Sequence, residues 1–162
     1  MKTVIIYYSL TGFTASIAEA MAKVMKADTI ELKTKKDLRK EPNFQAFIKG
    51  GSQVFLKKKP ALQEYKFNPD DYDLIIIGTP VWAWTYAPPL RTFFADHHIE
   101  GKKAVVFATH QGGPGKVLKN MSAELADASV VAERDFKNEK DKHARALSNA
   151  RLWATTLLKA NN

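Results

Sequence analysis

The chain reads as an α/β protein, a three-layer αβα sandwich around a parallel sheet, and three observations predict it. Short apolar runs of strand length recur along the sequence, and stretches with helical apolar periodicity fall between them. The runs are apolar throughout instead of alternating, the pattern of strands buried on both faces. Strand alternating with helix requires right-handed crossovers between parallel neighbours, which puts helices on both sides of the sheet.

The elements follow in order. "TVIIYY" at 3–8, "LIIIG" at 74–78 and "AVVFAT" at 104–109 are the strongest strands, and "TIEL" at 29–32 and "SVVAERDF" at 129–136 are weaker ones. Residues 13–26 place Ile17, Ala18, Met21, Val24 and Met25 on one helix face. Pro88 and Pro89 open a second helix carrying Leu90, Phe93 and Phe94, since proline is tolerated in a first turn. Val117, Leu118, Met121 and Leu125 mark a third helix, and Leu147, Ala150, Ala154, Leu157 and Leu158 a fourth. Between 33 and 72 the connection is too long for a tight turn. Phe44, Phe47 and Ile48 predict a short helix there, and Asn68, Pro69, Asp70 and Asp71 a turn feeding the third strand.

At 162 residues the sequence reads as one domain, 1–162, able to bury roughly 70% of its unfolded surface. It has no cysteine, which excludes disulfides, thiolate metal sites and cysteine nucleophiles. No run approaches a membrane span and the apolar run at the start is too short for a signal-peptide core, so a cytoplasmic location without membrane contact is expected. The net charge of +8 is concentrated: residues 33–59 hold nine Lys or Arg against Asp37 and Glu41. Such a block attracts anionic partners or solvates a loop. Nucleic acid is not the expected partner, because no recognition motif accompanies the charge.

Three loops carry the chemistry. "YYSLTGFT" at 7–14 ends the first strand with Ser9, Thr11 and Thr14 around Gly12, uncharged, at the start of a helix whose free N–H groups favour an anion. The plain alternative is a helix cap. "GTPVWAWTYAPPL" at 78–90 reads as a loop exposing Trp82, Trp84 and Tyr86, flat faces for stacking an aromatic ring or else core aromatics. "THQGGPG" at 109–115 offers glycines for close backbone approach, with His110 and Gln111 as polar groups for a heterocycle edge. In open α/β sheets such loops meet at the carboxyl ends of the strands. A Walker loop is rejected because Lys116 is followed by Val117, and a dinucleotide fingerprint because the first loop has one glycine. A receiver-type signalling domain would need carboxylates where these strands end in Tyr8-Ser9 and Gly78-Thr79.

With these motifs the sequence resembles the flavodoxin family over nearly its whole length. "SLTGFT" is similar to the family's phosphate loop, "GTPVW" with "PPL" to an isoalloxazine loop, and "THQGG" to the second flavin loop. The resemblance implies non-covalent FMN and a five-stranded parallel sheet of order 2-1-3-4-5. It implies that Ser9, Thr11 and Thr14 bind phosphate through hydroxyls and Leu10, Gly12 and Phe13 through backbone N–H. Thr79, Pro80, Val81, Trp82 and Ala83 would line the ribityl chain and flavin, with Trp84 beside them. Thr109, His110, Gln111, Gly112 and Gly113 would border the pyrimidine end. Low-potential electron transfer to a redox partner is the implied role, and the charge of this chain implies a partner with an acidic docking face. An FMN-dependent NAD(P)H oxidoreductase acting on a quinone or similar small acceptor is the alternative.

Overall fold

The structure is a computed structural model describing residues 1–42, 44 and 57–161. The expected short helix near Phe47 and Ile48 lies, apart from Phe44, outside the described residues. The remaining elements are β1 (Thr3–Tyr7), α1 (Phe13–Met25), β2 (Asp28–Glu31), β3 (Leu74–Trp82), β4 (Thr85–Tyr86), α2 (Pro88–Asp96), β5 (Lys103–His110), α3 (Val117–Glu124), β6 (Ser129–Lys137) and α4 (His143–Asn161). Asn68 introduces a one-turn 3₁₀ helix at Pro69–Asp71, its side chain accepting from the Asp70 N–H, just before β3.

Five strands run parallel in the order β2-β1-β3-β5-β6. This is the expected 2-1-3-4-5 arrangement, with one addition. The segment after Gly78, read from sequence as a loop, continues β3 to Trp82 and folds back as β4, antiparallel to it. Ala83 and Trp84 form the two-residue turn, both left-handed at φ 46° and 62°. Two consecutive positive φ values make a type I′ hairpin, whose twist matches that of the strands it joins. Neither residue is the glycine or asparagine that advertises such a turn, so the sequence conceals it.

Alternate residues of the central strands face opposite layers. Val4, Ile6, Ile75, Ile77, Val106 and Ala108 pack with Leu90, Phe93, Val117 and Met121 of α2 and α3. Ile5, Tyr7, Ile76, Val105 and Phe107 pack with Ile17, Met21, Ala150, Trp153 and Leu157 of α1 and α4. Both-face burial explains why these strands are apolar throughout. The edge strand β6 is different: it alternates in burial, carries Glu133, Arg134, Asp135 and Lys137, and is bulged opposite Ala104/Val105. A charged, bulged edge resists pairing with another chain. The carboxyl ends of β1, β3 and β5 are thereby brought side by side.

Candidate functional site

The chain leaves β1 at Tyr7 and enters α1 at Phe13 through Gly12, which is the helix N-cap with φ 93°. A Cβ there would meet nothing within 4 Å, so glycine is required for its backbone angle and not for space. The first N–H groups of a helix have no partner within it. Ser9 Oγ accepts two N–H bonds here, from Gly12 and Ala15, each 3.2 Å. Ser9 therefore does act as a cap, and it does so from inside the loop. Thr14 Oγ1 stands 2.8 Å from Thr109 Oγ1 in a buried contact, tying the start of α1 to the end of β5. When Thr109 donates, Thr14 keeps its proton for a ligand.

The hairpin forms the opposite wall. Trp82 is only 5% exposed and packs edge-on against Tyr8 and Phe44, at centroid distances of 5.6 and 5.9 Å. Tyr86 is buried as well, its hydroxyl on Glu124; burial, then that bond, pushes the phenol up. The expectation of three exposed aromatics thus holds for Trp84 alone, which is 68% exposed. The loop after β5 holds Trp84 in place: the Lys116 N–H donates to the Trp84 carbonyl at 3.1 Å. A Cβ on Gly115 would lie 2.8 Å from the Trp84 Cβ, so glycine is needed beneath the indole.

Between these walls lies a cleft of 680 Å³ lined by Leu10, Thr11, Phe13, Thr14, Pro80, Val81, Trp82, Ala83, Trp84, Thr109, His110, Gln111, Gly112, Gly113, Gly115 and Asn138. Its size is that of a cofactor site. Three residues expected in it stand elsewhere. Ser9 and Gly12 line a neighbouring polar cavity of 430 Å³. Thr79 is fully buried, because its hydroxyl accepts from the Ala87 N–H and donates to the Pro80 carbonyl, both at 3.0 Å. Two lining residues were missed: Gly115, inside a motif already noted, and Asn138, which follows β6 at the same sheet edge. The signal for Asn138 was its place just after a strand.

No Lys, Arg, Asp or Glu lines the cleft; His110 is its one titratable group among the described residues. The cations border the neighbouring cavity instead, where Lys33, Lys35 and Arg39 stand with Glu31 and Asp37. Arg39 holds Asp37 with a side-chain bond of 2.8 Å, and chiefly through that bond lowers its carboxyl to about 2. Burial pushes the neighbouring Tyr8 phenol up to about 12. The donor set of the cleft is thus neutral hydroxyls, a helix N-terminus, glycine backbone and an aromatic lip. It suits a phosphate joined to a planar heterocycle, with FMN as a fitting occupant.

A parallel sheet of this order, with a helix N-terminus and two further loops at its carboxyl edge, defines a flavodoxin-like fold. The family described as Flavodoxin matches residues 2–148, and the chain belongs to that family. A flavoprotein from Lactobacillus acidophilus, solved in complex with FMN, is 25% identical, covers 91% of this chain and 98% of its own, and superposes with a TM-score of 0.67. A candidate flavoprotein from Bacteroides uniformis is 23% identical over 95% and 97%, with a TM-score of 0.79. Oxidised flavodoxin 1 from Bacillus cereus is 19% identical over 96% and 98%, with a TM-score of 0.55. The last two show likeness of fold alone.

Proposed function

We propose that the chain binds FMN non-covalently in the 680 Å³ cleft and passes electrons at low potential between a reductase and an acceptor. The observation that carries this reading is the convergence of three uncharged loops at the ends of β1, β3 and β5. The FMN complex of the Lactobacillus protein supports it. When bound, the flavin supplies the redox chemistry, and the protein supplies binding, orientation and electrostatics.

In this reading Thr11 and Thr14 donate hydroxyl bonds to the phosphate, and the backbone of Leu10 and Phe13 adds N–H donors, the Gly12 N–H being held by Ser9. Ser9 orders the loop by holding the Gly12 and Ala15 N–H groups. Pro80, Val81, Ala83 and Trp84 flank the ring, with Trp82 supporting them from the core. Thr109, His110, Gln111, Gly112 and Gly113 border its other edge. Among the described residues no lysine or arginine lines the cleft, and a phosphate held there by neutral donors disfavours further negative charge on the ring. The result is a low potential. A protein partner would present an acidic face to the Lys-rich surface around Lys33 and Lys35.

A second reading is an NAD(P)H oxidoreductase acting on a quinone or similar small acceptor. It is favoured by the basic cavity that adjoins the phosphate loop, a place for an anionic nucleotide. Anaerobic mixing of the FMN-loaded protein with NADPH separates the two. Reduction only after a reductase is added supports the carrier, whereas rapid bleaching by NADPH alone supports the oxidoreductase and overturns the carrier reading.

A further inference from the structure

The turn that carries Trp84 is held in a conformation its own residues resist. Ala83 and Trp84 both stand at positive φ, 46° and 62°, where a side chain crowds the backbone. Such a turn persists only where its surroundings fix it. The next three positions show what does so. The Trp84 carbonyl accepts from the Lys116 N–H at 3.1 Å. Thr85 Oγ1 accepts from Asn120 Nδ2 at 2.8 Å, and the Tyr86 hydroxyl donates to Glu124 Oε1.

The three partners stand four residues apart on one element. Lys116 is the N-cap of α3, and the spacing of four puts Asn120 and Glu124 on a single stripe of that helix. Three successive residues of the hairpin are therefore met by three successive turns of α3. The Lys116 N–H belongs to the group at a helix start that has no partner within the helix, and the Trp84 carbonyl supplies one. Val117 and Met121 of the same helix are fully buried in the core, which makes α3 a fixed support. Asn120 is half-buried and Glu124 exposed, and neither lines the cleft.

We propose that α3 clamps the aromatic lip of the cleft, with Asn120 and Glu124 as positioning residues that set flavin affinity from outside the site. The clamp rests on the FMN reading, in which Ala83 and Trp84 flank the ring. Asn120 and Glu124 touch no ligand; they fix Thr85 and Tyr86, on which the strained turn ends. Without them Ala83 and Trp84 relax from the left-handed region, and the lip has to be ordered at the moment of binding. That ordering cost is subtracted from the affinity. The helix also starts where the loop after β5 ends, so the same clamp sets the spacing between the hairpin and the edge formed by Thr109 to Gly113.

The test titrates apoprotein carrying N120A or E124A with FMN and with riboflavin, read by flavin fluorescence quenching. Alanine favours the helix, so α3 is kept in both variants. Each is expected to weaken both flavins by the same factor, about 2- to 10-fold, because the lip faces the ring and not the phosphate. In ¹⁹F NMR of 5-fluorotryptophan-labelled protein, with W84F used for assignment, the Trp84 resonance is expected to shift or broaden while those of Trp82 and Trp153 stay. N120D, whose carboxylate accepts from the Thr85 hydroxyl, and E124Q, which keeps an acceptor for Tyr86, are expected to restore wild-type binding. A lowered Tm with unchanged affinity for both flavins assigns the two residues to stability alone and overturns the clamp. A loss confined to FMN, or one that the conservative changes do not restore, overturns it too; in these cases the FMN reading stands. Wild-type protein that quenches neither flavin overturns the FMN reading and the clamp with it.

Discussion

Thr14 and Thr109, 95 residues apart, share a buried hydroxyl contact of 2.8 Å that fastens the first helix to the end of β5. Removing one hydroxyl strands the other. Thr14→Val is therefore expected to destabilise the apoprotein by about 1–3 kcal/mol, and Thr14→Val with Thr109→Val by less than the sum of the two single changes. Urea unfolding of the four proteins in a double-mutant cycle measures this. Strict additivity would show that the contact contributes nothing.

Gly12 gives a contrasting prediction, because its missing side chain faces open space. Gly12→Ala is expected to cost about 1–2 kcal/mol from the left-handed backbone alone. Gly12→Asn should cost less, since asparagine tolerates that region. Thermal unfolding compares them, and equal stability of the wild type and the alanine variant would refute the assigned backbone angle.

At the hairpin, Ala83 adopts a positive φ without the residue type that does so cheaply. Ala83→Asn is expected to stabilise the fold by about 0.5–1 kcal/mol. Trp84→Ala, at a largely exposed position, should change stability little but weaken FMN binding by about 0.5–1.5 kcal/mol, roughly 2- to 12-fold. Fluorescence titration reads the second effect; unchanged affinity would place the indole outside the flavin site.

These cases show how far the sequence was legible. The five parallel strands were readable because burial on both faces leaves apolar runs such as Ile75, Ile76 and Ile77, which only a covered sheet explains. The hairpin was not, since Ala83 and Trp84 carry no turn chemistry. Trp82 looked like a ligand face because its type does not reveal that Tyr8 and Phe44 surround it. The site's outline came through in its loop motifs. The alignment of Lys116, Asn120 and Glu124 with Trp84, Thr85 and Tyr86 did not, because it depends on the hairpin that the sequence conceals.

Acid stability supplies a separate check. Lys137 and Lys142 hold the Glu139 carboxyl below its ordinary 4.5, at about 2, mainly through direct hydrogen bonds. A depressed carboxylate stabilises the fold above its unfolded value, and the contribution is lost as pH falls from about 4.5 towards about 2. The Glu139 side chain lies at the surface, 30% exposed, so the effect is expected to be small and to shrink in high salt. Glu139→Gln should flatten the stability profile in that window only; a change confined to neutral pH would contradict the assignment.

The central claim is that the uncharged loop from Ser9 to Thr14 holds the phosphate of FMN. Parallel fluorescence titrations of the apoprotein with FMN and with riboflavin, which lacks the phosphate, test it most directly. The account predicts that FMN binds far more tightly. Replacing Thr11 and Thr14 together with Ala should remove about 1.5–3 kcal/mol per lost bond to the charged group and narrow the gap between the two ligands. Equal affinity for FMN and riboflavin in the wild type, or FMN affinity that survives the double change, would contradict it.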